Sequence, residues 1–286
     1  MEMKKYIFPI LVIITLLSLA FVLADKPTSS PASVNPSQGH ANVIIPENAI
    51  EVAPGVFSLG AAQDVDGTIV EGYAFVKQKK EFSHNSNNQG SRILTNSCFS
   101  LLAKGAKWKT VENYIVDPIN RAGLNSSFIR SNIASDISQW EDAADGSANG
   151  IQGANILGNE IAGTIDGADS SSPDGKNEVL FADISNSGAI GVTIVWGIFS
   201  GPTFRRELVE WDQVYDDADF AWSQTGEAGK MDFWNIAIHE IGHAAGMGHP
   251  SDSCTEETMF RYAGFGETKK RDLNAGDITG IKSLYS

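Results

Sequence analysis

Three histidines and a glutamate lie within eleven residues of this chain, in the order H-E-x-x-H-x-x-G-x-x-H from His239 to His249. Imidazole nitrogens are common zinc ligands, and a carboxylate between two of them can act as the general base of a hydrolase. The chain has five histidines, and three of them fall in this stretch. The spacing therefore predicts a zinc site formed by His239, His243 and His249, with Glu240 as the catalytic base.

A helix has to position the first two of these histidines. Over residues 232–246 the apolar residues recur at intervals of three and four, which is the period of an amphipathic helix, and Asp232 suits its N-cap. Residues four apart lie on one helix face, so His239 and His243 point the same way. Gly246 can adopt a left-handed conformation that ends the helix, so that the chain turns and brings His249 back to the metal.

Two other interpretations of the motif stand beside a catalytic zinc. Histidines on a helix can be core or surface residues that bind no metal. Alternatively, the zinc could be structural, in which case a fourth protein ligand would close the site, and Cys254 is near enough in sequence to serve. Three nitrogen ligands leave a fourth position for water, and the motif favours that catalytic arrangement.

The motif and the residues after it resemble the metzincin metallopeptidases, and among them the matrixins. Metzincins have a methionine turn beneath the zinc, and Thr258, Met259 and Phe260 are similar to it. The Asp-Ile-x-Gly-Ile stretch that begins at Asp277 resembles the helix that closes matrixin catalytic domains, and the resemblance gives Asp277 the role of a hydrogen-bond acceptor under the site. The resemblance is strong over residues 230–286 and weaker back to about residue 96.

Two departures leave the subfamily open. Matrixins usually have Ser or Thr after the third histidine, whereas this chain has Pro250, as serralysins do. Serralysins and astacins have a tyrosine ligand two residues after the turn methionine, and here that position is Arg261. The structural zinc of vertebrate matrixins needs further histidines in the sheet region. This sequence has none between His84 and His239, so we expect one catalytic zinc ion.

The resemblance implies an α+β domain: a twisted, mostly parallel sheet with an edge strand for substrate, a zinc-binding active-site helix, the methionine turn and a C-terminal helix. The apolar periodicity predicts matching elements, namely helices over 126–144, 232–246 and 274–285 and strands over 108–116, 179–184, 189–199 and 208–215. Residues 190–196 resemble the metzincin edge strand, which binds an extended peptide by main-chain pairing. An ordinary core strand is the other interpretation.

We divide the chain into three parts. Residues 1–24 have two early lysines, a long apolar run and small residues before Asp25, which is typical of a cleaved signal peptide, although the run could also be an uncleaved membrane anchor. Residues 25–95 comprise a linker rich in Pro, Ser and Asn and short apolar runs typical of strands; this segment is either a pro-region that is later removed or an accessory piece. Residues 96–286 are the catalytic domain. In either case the protein is exported, secreted or attached to the cell surface.

The two cysteines, Cys98 and Cys254, have two interpretations. Export favours a disulfide between them. The alternative is a cysteine switch, in which a thiolate caps the zinc of a latent enzyme. Matrixin pro-segments do this within a Pro-Arg-Cys-Gly stretch, which the residues around Cys98 do not resemble, so we favour the disulfide.

Charge and composition limit the partners. The net charge of −14 over 286 residues argues against nucleic acid as a partner. The oxygen-bearing side chains of Asp166, Asp169, Asp174 and Asn177 suggest a calcium site. Their spacing matches no tight calcium-binding loop, so we favour the other interpretation, a solvated acidic turn.

We predict a monomeric zinc-dependent endopeptidase that acts on protein or peptide substrates in an extended conformation and contacts a membrane only through an uncleaved leader. The alternatives are an exported zinc-binding interaction module without turnover and a metallohydrolase that acts on a non-peptide amide.

Overall fold

A computed structural model of the chain describes residue 43 and residues 45–80, 98–145, 155–186 and 188–285. All of these belong to one unit, residues 36–286. The predicted leader at residues 1–24 and the linker rich in Pro, Ser and Asn at residues 25–38 lie outside the described residues. Within the described ranges, every helix is too short or too polar to cross a membrane.

The described residues form α-helices and strands in the order that the sequence predicts for an α+β domain. The helices are α1 (Ser126–Asp145), α2 (Phe233–Ala244) and α3 (Ala275–Tyr285). The strands are β1 (Ile50–Ala53), β2 (Val56–Gln63), β3 (Ile69–Lys79), β4 (Ser100–Leu101), β5 (Tyr114–Val116), β6 (Asn177–Ala182), β7 (Ala189–Ile198), β8 (Glu207–Asp216), β9 (Trp222–Ser223), β10 (Met231–Asp232), β11 (Met247–Gly248) and β12 (Tyr262–Ala263).

The main sheet is mixed, which corrects the prediction of a mostly parallel one. Its order is β1-β2-β3-β7-β8-β6-β5, with β12 also paired to β3. The pairs β5–β6 and β6–β8 are parallel, whereas β1–β2, β2–β3, β3–β7 and β7–β8 are antiparallel. The reason is the length of the links: short connections join β1 to β2, β2 to β3 and β7 to β8, and short connections allow only antiparallel neighbours.

Strand β7, predicted as the edge strand for substrate, is paired on both sides in this structure. Strand β3 from the N-terminal segment runs antiparallel along it, from Glu71 opposite Gly197 to Gln78 opposite Ala189. Of the two interpretations of residues 190–196, the structure therefore has the inner strand of the sheet rather than a free edge. A bare strand edge exposes a row of unpaired backbone groups, and β3 satisfies them.

The predicted strand over residues 108–116 is also shorter than expected. Only residues 114–116 pair with β6. Residues 112 and 113 are hydrogen-bonded to a loop instead of to a strand. Glu112 O accepts from Gly158 N at 2.8 Å, and the Asn113 side chain accepts from Asn159 N at 3.0 Å.

Helix α1 has the predicted position and packs beneath the site helix. Its apolar residues Ile129, Ile133, Ile137 and Trp140 recur with the helical period and are buried. Fully burying each such side chain stabilises the fold by roughly 1.5–3 kcal/mol. The indole N–H of Trp140 donates to Ile238 O in α2 at 2.8 Å, which fixes α1 against the helix that carries the histidines.

Candidate active site

The three motif histidines meet at one point. His243 Nε2 lies 3.1 Å from His239 Nε2 and 3.1 Å from His249 Nε2. Zinc–nitrogen bonds of about 2.0–2.1 Å at tetrahedral angles require nitrogens roughly 3.3 Å apart. The three nitrogens therefore fit one zinc ion.

Backbone carbonyls orient two of the rings. Thr258 O lies 2.7 Å from His239 Nδ1, and Met247 O lies 2.8 Å from His243 Nδ1. A ring that donates from Nδ1 keeps the lone pair of Nε2 free for a metal. Burial lowers the pKa of all three histidines, that of His243 to about 3, so the rings are neutral, as ligands must be.

The ends of α2 are built as the sequence predicts. The Asp232 side chain accepts from Asn235 N at 3.0 Å and so caps the helix, and Arg271 pairs with the same carboxylate at 2.6 Å. After the helix, Gly246 has a φ of +104°, and a Cβ at this position would lie 2.8 Å from Leu284 Cδ2. A glycine is therefore required where the chain turns towards His249.

Glu240 lies beside the histidines with one oxygen held and the other free. Its Oε2 accepts from Thr193 Oγ1 at 2.6 Å, while its buried Oε1 has no hydrogen-bond partner among the described residues. Gly191 leaves room for this carboxylate, since a Cβ there would lie 3.0 Å from Oε1. Burial raises the pKa of Glu240 to about 7, against the effect of the Thr193 hydrogen bond and the Lys77 charge.

Sequence reasoning missed Gly191 and Thr193. The available signal was their spacing in an apolar strand, because residues two apart on a strand share a face. Which face meets α2 depends on the packing of the sheet, and the spacing alone does not give it.

The methionine turn lies under the site. Met259 is fully buried, and a Cβ at Gly242 of α2 would overlap its sulfur. Asp277 of α3 holds the turn in place: its carboxylate accepts from Thr258 N at 2.7 Å, from Met259 N at 3.2 Å and from Asn274 N at 2.9 Å. The roles that the resemblance gives to Met259 and Asp277 stay predictions, and these contacts are the ones that such roles would use.

Cys98 and Cys254 are joined in a disulfide, with their Cα atoms 5.6 Å apart. Cys254 is therefore neither a fourth zinc ligand nor a switch thiolate in this structure. The bond ties the beginning of the catalytic region to the loop after His249, and β4 pairs with β11 next to that histidine.

Arg261 forms an ion pair with Asp252, and its guanidinium lies 4.9 Å from the centre of the Tyr262 ring. The position that is a tyrosine ligand in astacins thus holds a cation that is paired with a carboxylate.

An N-terminal strand covers the site, which sequence reasoning did not anticipate. The Phe75 ring stacks on His243 with the ring centres 4.4 Å apart. Lys77 is fully buried, and its Nζ lies 2.9 Å from His239 Nδ1 and donates to Phe260 O at 2.5 Å. A lysine in a strand is usually solvent-exposed, so no signal in the sequence marked Lys77 as part of the site.

Part of the predicted calcium cluster also comes together. Two overlapping groups bring carboxylate oxygens within 4.8 Å of one another, namely Asp166 with Asp174 and Glu178, and Asp169 with Asp174 and Glu210. Asn177 does not join them, because its amide donates to Asn113 O and accepts from Trp211 N. The Lys176 ammonium competes for the cluster, since it lies 2.5 Å from an Asp166 oxygen and 2.8 Å from an Asp174 oxygen.

The C-terminal part of the chain is similar to known metalloproteases. Residues 203–286 match the family model described as Matrixin. Matrilysin of Homo sapiens is 38% identical over 69 residues, 24% of this chain and 25% of matrilysin. Metalloendoproteinase 1 of Glycine max is 37% identical over 76 residues, 24% of each chain. Matrix metalloproteinase-25 of Homo sapiens is 26% identical over 123 residues, 40% of this chain and 21% of that protein.

The three motif histidines lie within the matched residues. Residues 203–286 of this chain are therefore similar to the matrixin family, in line with the resemblance that the motif indicates. The alignments cover a quarter or less of the length of these relatives. The activity of the whole chain is therefore a matter for proposal.

Proposed function

We propose that this chain is an exported zinc endopeptidase. The observation that carries the proposal is the combination of three converging Nε2 atoms with a buried carboxylate, Glu240, whose Oε1 has no partner among the described residues. His239, His243 and His249 hold the metal. A purely structural zinc site does not require a carboxylate without a partner at this place. In a hydrolase, the free Oε1 of Glu240 can accept a proton as a general base.

The chemistry divides between the metal and the protein. When bound, zinc supplies a Lewis acid that lowers the pKa of its water to about 7. Glu240 accepts a proton from the attacking water through Oε1 and returns it to the amine that leaves the peptide bond. Thr193 holds the other carboxylate oxygen, so the carboxylate keeps its orientation while the proton moves.

The substrates are proteins or peptides in an extended conformation. Main-chain pairing along β7 supports this, since the side of β7 next to Glu240 accepts a strand, here β3, through backbone hydrogen bonds. Such pairing gives affinity that does not depend on the substrate sequence, and a side-chain pocket then selects among peptides.

Export, latency and calcium complete the proposal. The apolar leader and the disulfide support an oxidising compartment outside the cytoplasm. Residues 25–95 are a pro-region of the catalytic domain at 96–286.

The carboxylates around Asp174 bind calcium, since the buried Glu210 Oε1 has no partner among the described residues and carboxylate oxygens are the ligands that Ca²⁺ prefers.

Metal analysis and a cleavage assay on the full chain test this function. We expect about one zinc per chain and cleavage of a denatured protein that a zinc chelator abolishes. The assay is run on the intact chain and on a chain cut between residues 80 and 98. The cut chain is included because β3 lies over the site and would exclude substrate from it. Bound zinc without cleavage in either form would leave the interaction module as the better account.

A further inference from the structure

Strand β3 lies between the two elements that border the three-histidine site. On one side it pairs antiparallel with β7, with Lys77 opposite Gly191. On the other side it pairs parallel with β12, with Gln78 opposite Tyr262. A chain that is hydrogen-bonded on both sides is the arrangement that a bound peptide adopts in strand addition.

Alternate side chains of β3 face opposite sides of the sheet, as in any strand. Ala74 and Val76 belong to the apolar cluster on the far side. Phe75 and Lys77 face the site, where Phe75 stacks on His243 and Lys77 Nζ lies 2.9 Å from His239 Nδ1. The backbone between Phe75 and Lys77 therefore passes the histidines.

The turn between β1 and β2 completes the cover. Gly55 O accepts from Val76 N at 2.8 Å, which fixes the turn to β3. A Cβ built on Gly55 would lie 3.8 Å from His249 Cε1, so the turn passes next to the third histidine with no space for a larger side chain between them. Each of the three histidines thus has a neighbour from residues 50–79.

The pocket that holds Lys77 suits a long side chain that ends in an amino group. Lys77 is fully buried, and at the far end of its pocket the Phe260 carbonyl accepts a hydrogen bond from Nζ. Burial, more than any other cause, lowers the pKa of the Lys77 amino group well below its ordinary value; repulsion from Lys270 acts in the same direction, and the carboxylates of Glu240, Glu267 and Asp277 oppose both. A buried amino group requires a hydrogen-bond acceptor such as the Phe260 carbonyl, and an apolar pocket would not supply one.

We propose that β3 is an internal pseudosubstrate, and that the buried space around Lys77 is a side-chain pocket of the cleft that takes a lysine. In the intact chain β3 excludes peptides. When β3 leaves, the cleft binds extended peptides that place a lysine where Lys77 lies. This inference rests on the proposed function only in that the cleft is taken to be that of a peptidase.

The test frees β3 from the full chain. Recognition sequences for a site-specific protease are placed at residues 65–68, which are exposed, and within residues 85–90, so that digestion releases β3 as a short peptide. Peptide hydrolysis by the zinc-loaded protein is measured before and after digestion. We expect it to rise at least tenfold, because a tethered strand competes at an effective concentration of about millimolar and a released one does not.

Synthetic peptides then identify the pocket. The peptide of residues 69–80 is added to the digested protein, together with its Lys77→Ala form and, as a charge-matched control, its Lys80→Ala form. Lys80 is exposed at the end of β3. We expect the native and Lys80→Ala peptides to inhibit alike and the Lys77→Ala peptide to inhibit at least tenfold more weakly. Equal inhibition by the two variants, or equal activity before and after digestion, would overturn the proposal.

Failure of the endopeptidase proposal can be distinguished from failure of the pseudosubstrate proposal. If neither form hydrolyses peptides although zinc is bound, the endopeptidase proposal fails. A fluorescent peptide of residues 69–80 then decides the inference by its binding to the digested protein. An affinity that falls at least tenfold with Lys77→Ala but not with Lys80→Ala supports a lysine pocket. An affinity that is the same with and without Lys77 overturns the proposal.

Discussion

Replacing Asp277 with alanine should destabilise the protein strongly, because this one carboxylate supports the methionine turn. It is fully buried and accepts hydrogen bonds from the backbone N–H groups of Thr258, Met259 and Asn274. Thr258 O in turn lies next to His239 Nδ1. Loss of the carboxylate therefore affects both stability and the orientation of a metal ligand.

The magnitude follows from counting the donors that lose their acceptor. Each buried N–H left without a partner costs about 1–3 kcal/mol. The N–H groups of Thr258 and Met259 are buried and that of Asn274 is half-buried, so we expect the free energy of unfolding of Asp277→Ala to be lower by about 2 kcal/mol or more, even at the lower end of that range. Asp277→Asn should lose less, because it keeps one carbonyl oxygen. It also removes a charge whose burial raises the pKa of Asp277 above its ordinary value.

Urea unfolding followed by tryptophan fluorescence measures these differences, and zinc titration of each variant measures the effect on the site. Asp272→Ala is the matched control, because Asp272 is a nearby but exposed carboxylate. We expect the order wild type, Asp272→Ala, Asp277→Asn, Asp277→Ala from most to least stable. The reasoning is refuted if Asp277→Ala and Asp272→Ala unfold within about 1 kcal/mol of each other, since a single lost buried hydrogen bond already exceeds that.

Three further predictions concern other parts of the molecule. Cys98→Ser opens a loop that the disulfide closes across 156 residues, so urea unfolding should show a free energy of unfolding lower by about 5 kcal/mol. Two titratable thiols in the oxidised wild type would contradict the disulfide itself. Burial raises the pKa of Glu210 from 4.5 to about 8, so the folded state binds its proton more tightly than the unfolded chain. The contribution of protonated Glu210 to the stability of the fold is therefore complete below about pH 4.5 and is lost as the pH rises through about 8. Added calcium should therefore raise the Tm more at pH 8 than at pH 5, and an unchanged Tm at pH 8 would argue against a calcium site. Thr193→Val should lower kcat/KM while zinc stoichiometry stays the same, and an unchanged kcat/KM would remove Thr193 from the positioning of the base.

Local patterns made much of the site predictable. The four-residue spacing of His239 and His243, the cap at Asp232 and the glycine at 246 depend on residues close in sequence, and the structure has each of them as expected. Helices α1 and α3 follow their apolar periods to within one residue at each end. Such features need no knowledge of which distant segments pair.

Long-range pairing was not predictable in the same way. The apolar run at residues 68–76 indicates a strand, but nothing in it says that the strand lies beside β7 rather than at another edge. The burial of Lys77 and the contact of Thr193 with Glu240 both depend on that register. A shift of one residue would turn Phe75 and Lys77 to the opposite face, so these contacts follow from the assembled sheet.

The central claim is that Glu240 is the base of a zinc hydrolase, and one comparison tests it most directly. Glu240→Gln keeps the shape of the side chain and an oxygen for Thr193 but removes the proton acceptor. Zinc content and peptide hydrolysis are measured for this variant and the wild type, with β3 released from both. We expect equal zinc in the two proteins and a loss of at least a hundredfold in kcat/KM for the variant, in line with general acid–base catalysis worth about 10²–10⁴. Hydrolysis by zinc-loaded Glu240→Gln at the wild-type rate would contradict the account.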